Sequence, residues 1–275
     1  MAATTFLHGA NVRANGIRQH YLRYGGKGPV VVIVPGITSP AATWGFVAER
    51  FGQHFDTYVL DVRGRGLSEA SDALDYGLDA CAADVAAFAE ALALPDYQLV
   101  GHSMGARIGI RLARLNPQGL RKLVLVDPPV SGPGRRRYPS QLPWYVDSIR
   151  LARRGITIER MREFCPTWTP EQLRLRAEWL HTCDERAIVT TFDGFHQDDI
   201  HADLPQVKVP TLLMVAGRGG VIQPEDREEL SRLLPALQVA DVPNAGHMIP
   251  WDDEEGFYQA FGGFLGHALT RPDAA

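Results

Sequence analysis

Cysteine is scarce. The 275 residues hold three, Cys81, Cys165 and Cys183, odd in number and far apart. No Cys-x-x-Cys pair occurs and no Cys/His spacing suits a zinc site, so neither a disulfide framework nor a structural metal is expected. Each thiol reads as a small buried apolar group, and a reducing, cytoplasmic location follows. Long apolar runs are missing too. The longest tight one is Val30 to Val34, far short of the ~20 residues a membrane helix needs. Met1 to Gly16 lacks a basic start and a long apolar stretch, so no signal peptide is expected. No internal repeat or low-complexity linker occurs. Basic charge is not in excess either: 28 Lys+Arg stand against 32 Asp+Glu, a formal net charge of −4, which argues against nucleic acid as the main partner.

What is present is an ordinary globular composition, 45% hydrophobic and 22% charged, at a length that suits one large core plus an inserted element. The opening reads as a hairpin, Phe6 to Arg13 and Ile17 to Tyr24 about a turn at Asn15-Gly16. Short, β-branched, uniformly apolar runs follow at Val30 to Val34, Thr57 to Leu60, Tyr97 to Val100, Leu123 to Val126 and Thr211 to Val215. Such runs suit strands buried on both faces, hence a parallel sheet. Helical patterns lie between them, at Leu78 to Leu92, Met104 to Leu115 and Pro224 to Leu234, with a last strand at Leu237 to Val242 and a closing helix from Glu255 to Leu269. The chain is therefore α/β with an antiparallel hairpin at one sheet edge. The alternation breaks from Ser131 to about Pro205, where no strand pattern occurs and Trp, Arg and helix formers gather. Strand patterns flank this stretch, so it reads as a helical insertion.

The sharpest chemical signal is Gly101-His102-Ser103-Met104-Gly105, between the strand pattern from Tyr97 and the helix pattern from Met104. A strand entering a helix through so tight a turn strains its central residue and leaves no room for flanking side chains. The strain projects the serine hydroxyl, and the next amide sits at a helix N-terminus facing developing negative charge. Ser103 is the expected nucleophile. The His102 ring should point away from it.

On these residues the chain resembles the α/β-hydrolase fold family, from about Gly28 to Leu269. Further support comes from Pro35-Gly36 after the first parallel strand, Asp61-Val62-Arg63-Gly64-Arg65-Gly66-Leu67-Ser68 after the second, and Asn244-Ala245-Gly246-His247 near the end. The resemblance implies an eight-stranded, mostly parallel sheet with flanking helices. Residues 1–130 and 206–275 would form the core and 131–205 a helical cap. It also implies a triad in the order Ser, acid, His. His247 is then the general base that a serine hydroxyl needs at neutral pH; His20, His196 and His201 are not distinguished by spacing. The family's usual acid position reads Gly217-Arg218-Gly219-Gly220, without Asp. Asp127, one strand earlier before Pro128-Pro129, is the expected acid, with Asp226 as the reserve. The oxyanion hole should combine the amides of Ile37, next to Gly36, and Met104.

Arginines suggest an anionic substrate. Arg135, 136, 137, 150, 153, 154, 160 and 162 outnumber Asp147, Glu159 and the adjoining Glu163, although a solvated basic helix face accounts for most of them. Arg107 and Arg218, with Gly36, are the expected substrate contacts. The cap aromatics Trp144, Tyr145, Phe164, Trp168, Trp179, Phe192 and Phe195 read as core and pocket lid. In the elbow Gly-His-Ser-Met-Gly-Ala-Arg, the acid before Pro-Pro, the Arg-rich start of the cap and the ending Asn-Ala-Gly-His-Met-Ile-Pro, the chain is similar to the N-formylmaleamate deformylases of aerobic nicotinate breakdown. That resemblance implies metal-independent hydrolysis of a small anionic N-formyl amide through a formyl-serine, with no cofactor, nucleic acid or membrane, and with monomer and homo-oligomer equally open. A carboxylesterase, an enol-lactone hydrolase or a C–C bond hydrolase would share the triad, and a binding protein that keeps the fold without turnover is a further alternative. Haloalkane dehalogenase chemistry needs a carboxylate nucleophile and is excluded by Ser103.

Overall fold

A computed structural model describes residues 4–270. In chain order the elements are β1 (Phe6–Ala14), β2 (Ile17–Tyr24), β3 (Val30–Val34), α1 (Gly45–Phe51), β4 (Asp56–Leu60), α2 (Leu78–Ala91), β5 (Tyr97–His102), α3 (Met104–Ala113) and β6 (Leu120–Val126). They continue with α4 (Leu142–Arg153), α5 (Ile158–Arg162), α6 (Pro170–Trp179), α7 (Glu185–Gln197), β7 (Thr211–Ala216), α8 (Pro224–Leu233), β8 (Gln238–Val242), α9 (Ile249–Asp252) and α10 (Glu254–Phe261). The eight strands form one sheet in the order β1-β2-β4-β3-β5-β6-β7-β8. Pairing is antiparallel only at β1-β2 and β2-β4, and parallel from β4 through to β8. The expected parallel sheet with a hairpin edge is thus present. In β3 the Val31 to Val34 side chains are fully buried, as a run covered on both faces requires.

Two details position the site. All ten residues of α3 are buried, so the helix after Ser103 runs through the middle of the core instead of along its surface. Between β6 and β7, which pair side by side, the described chain contains α4, α5, α6 and α7 and no strand. The closing helix is shorter than expected. It stops at Phe261, because the pair Gly262-Gly263 is a poor continuation of a helix, and Leu269 packs into the core from irregular chain. Among the described residues, no helix is long and apolar enough to cross a membrane.

Candidate active site

Ser103 sits between β5 and α3 with φ 53° and ψ −115°, a strained conformation for a residue with a side chain. The flanking glycines are explained by distance alone. A Cβ on Gly101 would lie 2.3 Å from the Gly105 carbonyl oxygen, and one on Gly105 would lie 1.9 Å from that of Val34. The Ser103 amide donates to Val126 at 2.9 Å, which ties the turn to the end of β6.

Asp127 follows directly on β6. It is fully buried, its backbone also has positive φ (46°), and its amide donates to Met214 of β7 at 3.0 Å. One carboxylate oxygen accepts from the Ala216 amide at 3.3 Å; the other lies 2.6 Å from His247 Nδ1. His247 Nε2 lies 3.0 Å from Ser103 Oγ. With Nδ1–H donating to the carboxylate, Nε2 is left as an acceptor facing the serine hydroxyl. The loop that carries His247 is held by Asp252, whose carboxylate accepts from the Gly246 amide at 3.0 Å. Asp226 is elsewhere: it caps α8 through the Gln223 amide at 2.8 Å and pairs with Arg136.

His102 is buried and turned from the serine. Its Nε2 donates to the His247 backbone carbonyl at 3.0 Å, and its ring packs 5.6 Å from Trp44. Burial drives its pKa from 6.5 to about 3, so it is a neutral strut under His247. Tyr138, which sequence reasoning missed, places its hydroxyl 3.2 Å from His247 Nε2 and 3.3 Å from the Tyr145 hydroxyl. Burial pushes its pKa well above 10, so it faces the site as a neutral phenol.

These groups open on a cavity of about 390 Å³, within the usual range for a small-molecule site. Gly36 and Ile37 line it beside Ser103 and His247. The Ile37 amide meets no acceptor among the described residues, and the Met104 amide, first in α3, has none a turn back. Of the expected cap aromatics, Trp144, Tyr145, Phe164 and Trp168 line the cavity; Trp179, Phe192 and Phe195 do not.

The two arginines expected to meet substrate are placed otherwise. Arg107 is buried, and its guanidinium donates to the carbonyls of Pro129, Ser131, Gly194 and Asp198 at 2.8 to 3.1 Å, which ties α3 to α7. Desolvation lowers its pKa to about 10, still charged at neutral pH. Arg218 is exposed and donates to the Asn244 carbonyl. Most of the arginine-rich start of the cap is spent on the surface: Arg135 pairs with Glu229, Arg150 and Arg153 with Glu185, and Arg160 with Glu163. The cation that does line the cavity is Arg176 of α6, which sequence reasoning did not single out. His20 pairs with Asp61 at 2.7 Å, and neither it, His196 nor His201 lines the cavity. The three cysteines are free and buried, with burial raising the Cys81 thiol to about 11 and the Cys183 thiol to about 12. Among the described residues, no group of three or more His, Cys, Asp or Glu is arranged to hold a metal.

Comparison with known proteins adds four findings. The family model of the alpha/beta hydrolase fold matches residues 29–254. N-formylmaleamate deformylase of Pseudomonas putida (strain KT2440) is 68% identical over 267 residues, covering 97% of this chain and 100% of that protein. The crystal structure of an N-formylmaleamic acid deformylase from Pseudomonas putida S16, a serine-to-alanine variant, superposes with a TM-score of 0.90 at 57% identity, over 93% of this chain and all of that one. At greater distance, 2-(acetamidomethylene)succinate hydrolase of Mesorhizobium japonicum is 27% identical over 83% of this chain and 84% of that protein.

Proposed function

The chain belongs to the α/β-hydrolase fold family, and from that premise we propose that it hydrolyses N-formylmaleamate to maleamate and formate through Ser103, His247 and Asp127. The observation that carries the reaction class is the unbroken run from Ser103 Oγ to His247 Nε2 at 3.0 Å and from His247 Nδ1 to Asp127 at 2.6 Å, at the wall of a small-molecule cavity. The near full-length likeness to a deformylase supports the substrate.

His247 Nε2 takes the Ser103 proton as Oγ attacks the formyl carbon. Charge then develops on the formyl oxygen, where the amides of Ile37 and Met104 can receive it. Asp127 holds the imidazole in the tautomer this requires and stabilises the imidazolium. His247 next gives its proton to the maleamate nitrogen, the C–N bond breaks, and maleamate leaves. The formyl-serine ester remains. Water, deprotonated by His247, attacks that ester, Ser103 regains its proton, and formate departs; one water is consumed for each C–N bond broken. The formyl group carries only hydrogen on its carbonyl carbon, so the acyl side needs little space. Residues 131–205 act as the cap that closes over the remainder of the substrate. Three free, buried thiols suit a reducing, cytoplasmic setting.

The test is a panel of purified-protein assays on N-formylmaleamate, an aryl ester, an enol-lactone and a ring-cleavage dienone, compared by kcat/KM. Preference for the formyl amide with stoichiometric formate is the expected result. Preference for any of the other three would reject the deformylase and keep the serine hydrolase.

A further inference from the structure

Arg65, Arg107 and Arg176 are buried with no carboxylate partner among the described residues, and the first two are satisfied. Arg65 donates to the carbonyls of Ile37, Arg63 and Ala187 and to the Thr191 hydroxyl, at 2.7 to 3.2 Å. Arg107 meets four carbonyls. Arg176, 3% exposed, differs. Its two bonds are both to Thr38, to the carbonyl and the hydroxyl, each at 3.3 Å, and its Nε has no partner. A guanidinium carries five N–H donors in a plane, and a buried one without a carboxylate is costly unless something completes it.

The surroundings indicate what completes it. Arg176 is the one Lys or Arg among the described residues lining the Ser103 cavity. The ring centroids of Trp144 and Trp168 lie 5.6 and 5.5 Å from its guanidinium carbon, so two indoles hold the group where it lines the cavity. The cavity's carboxylate, Asp252, is spent elsewhere, on the Gly246 amide and the Thr167 hydroxyl. Arg176 is placed by a strong local device. Pro170 opens α6, and Thr169 and Gln172 form a reciprocal capping box, so the helix starts at a defined residue and Arg176 falls on the face towards Thr38. Thr38 in turn follows Ile37, the expected oxyanion donor. A group bound by Arg176 is thereby held in register with the reacting carbonyl.

We infer that Arg176 is the specificity residue of this site and that its guanidinium takes the carboxylate at the far end of the substrate. The inference rests on the reading above. In N-formylmaleamate that carboxylate lies five bonds from the formyl carbon, on the leaving group, so the arginine orients the C–N bond to be broken without touching it. A flat, two-pronged donor between aromatic walls selects one carboxylate over a neutral ester or amide.

The experiment compares N-formylmaleamate with its methyl ester for the wild type, Arg176→Gln and Arg176→Lys, with circular dichroism as a folding control. The wild type should prefer the acid in kcat/KM by on the order of 100-fold, since a site built for a polar group is left with that group unpaired by the analogue. Arg176→Gln should lower kcat/KM on the acid by on the order of 100-fold more than on the ester, so that the preference is lost, and Arg176→Lys should restore part of it. Equal losses on both substrates would mean a packing role and overturn the inference, as would an unchanged preference in Arg176→Gln. A second arm uses an aryl ester that depends on Ser103, inhibited by maleate or by neutral maleamide. Maleate should inhibit the wild type far better than maleamide, and in the Lys variant, which serves alone if Gln does not fold, that advantage should shrink without vanishing; equal inhibition by both in the wild type, or an undiminished advantage in the Lys variant, would overturn the inference. The arms fail separately. If no formate is released from N-formylmaleamate while the ester is cleaved, the substrate reading falls, and maleate still reports on Arg176.

Discussion

Asp127 and Asp226 give the sharpest contrast at the scale of single residues, because both carboxylates are engaged but only one is engaged with His247. Asp127→Asn should lower kcat by roughly a thousandfold or more, since the imidazole loses the partner that fixes its tautomer. Asp226→Ala should leave kcat close to wild type and cost about 1 kcal/mol of stability, the ordinary value of a helix cap. Steady-state kinetics and urea unfolding of the two variants check both statements, and a reversal of the pattern would remove Asp127 from the mechanism. The convergence of Ser103, His247 and Asp127 was legible because strand-end and turn chemistry is local: a Gly-rich elbow, a histidine after the last strand and an Asp after β6 each leave a mark in sequence. Tyr138 and Arg176 left none. They reach the cavity only because the cap folds back across the sheet, and no spacing along the chain encodes that approach.

At the scale of elements, α7 is fastened to the sheet-flanking elements by buried guanidinium groups on carbonyls. Arg107 joins α3 and the chain after β6 to the C-terminal end of α7. Reading it as a substrate contact was reasonable from its place one turn after Ser103, but on a wholly buried helix that turn points it away from the cavity and into the junction with the cap. Arg107→Ala leaves buried carbonyls without donors and should cost at least about 3 kcal/mol, seen as a lower urea midpoint. Arg107→Lys keeps the charge and loses the fork, so it should recover only part of that loss. A surface-like change, within about 0.5 kcal/mol of wild type, would contradict this role. The boundaries of strands β3 to β7 were readable to within a few residues from their apolar runs. The closing helix was overrun, because apolar Phe264, Leu265 and Leu269 continue a helix-like pattern past the glycines that stop it.

For the whole molecule, two buried histidines set an acid limit. Burial holds His102 at about 3 and His201 at about 4, both below the 6.5 of an exposed imidazole. Between these values the unfolded chain binds more protons than the folded one at these two sites, so their contribution to stability is fully present above pH 6.5 and falls on acidification towards pH 4. Each histidine contributes a slope of up to about 1.4 kcal/mol per pH unit. Urea unfolding across that range should show a shallower fall for His102→Gln than for the wild type; parallel curves would show that His102 does not enter the folded state neutral. The α/β architecture and its hairpin edge were legible throughout, since period and burial are repeated in every strand. The cavity between core and cap was not, because it is formed by contacts between residues far apart in sequence.

The most direct measurement is formate release from N-formylmaleamate by the purified wild type and by Ser103→Ala side by side. The expected result is rapid release by the wild type, one formate per maleamate, and a loss of at least about a thousandfold in the variant. Comparable release by Ser103→Ala would contradict the nucleophile and, with it, the formyl-serine route.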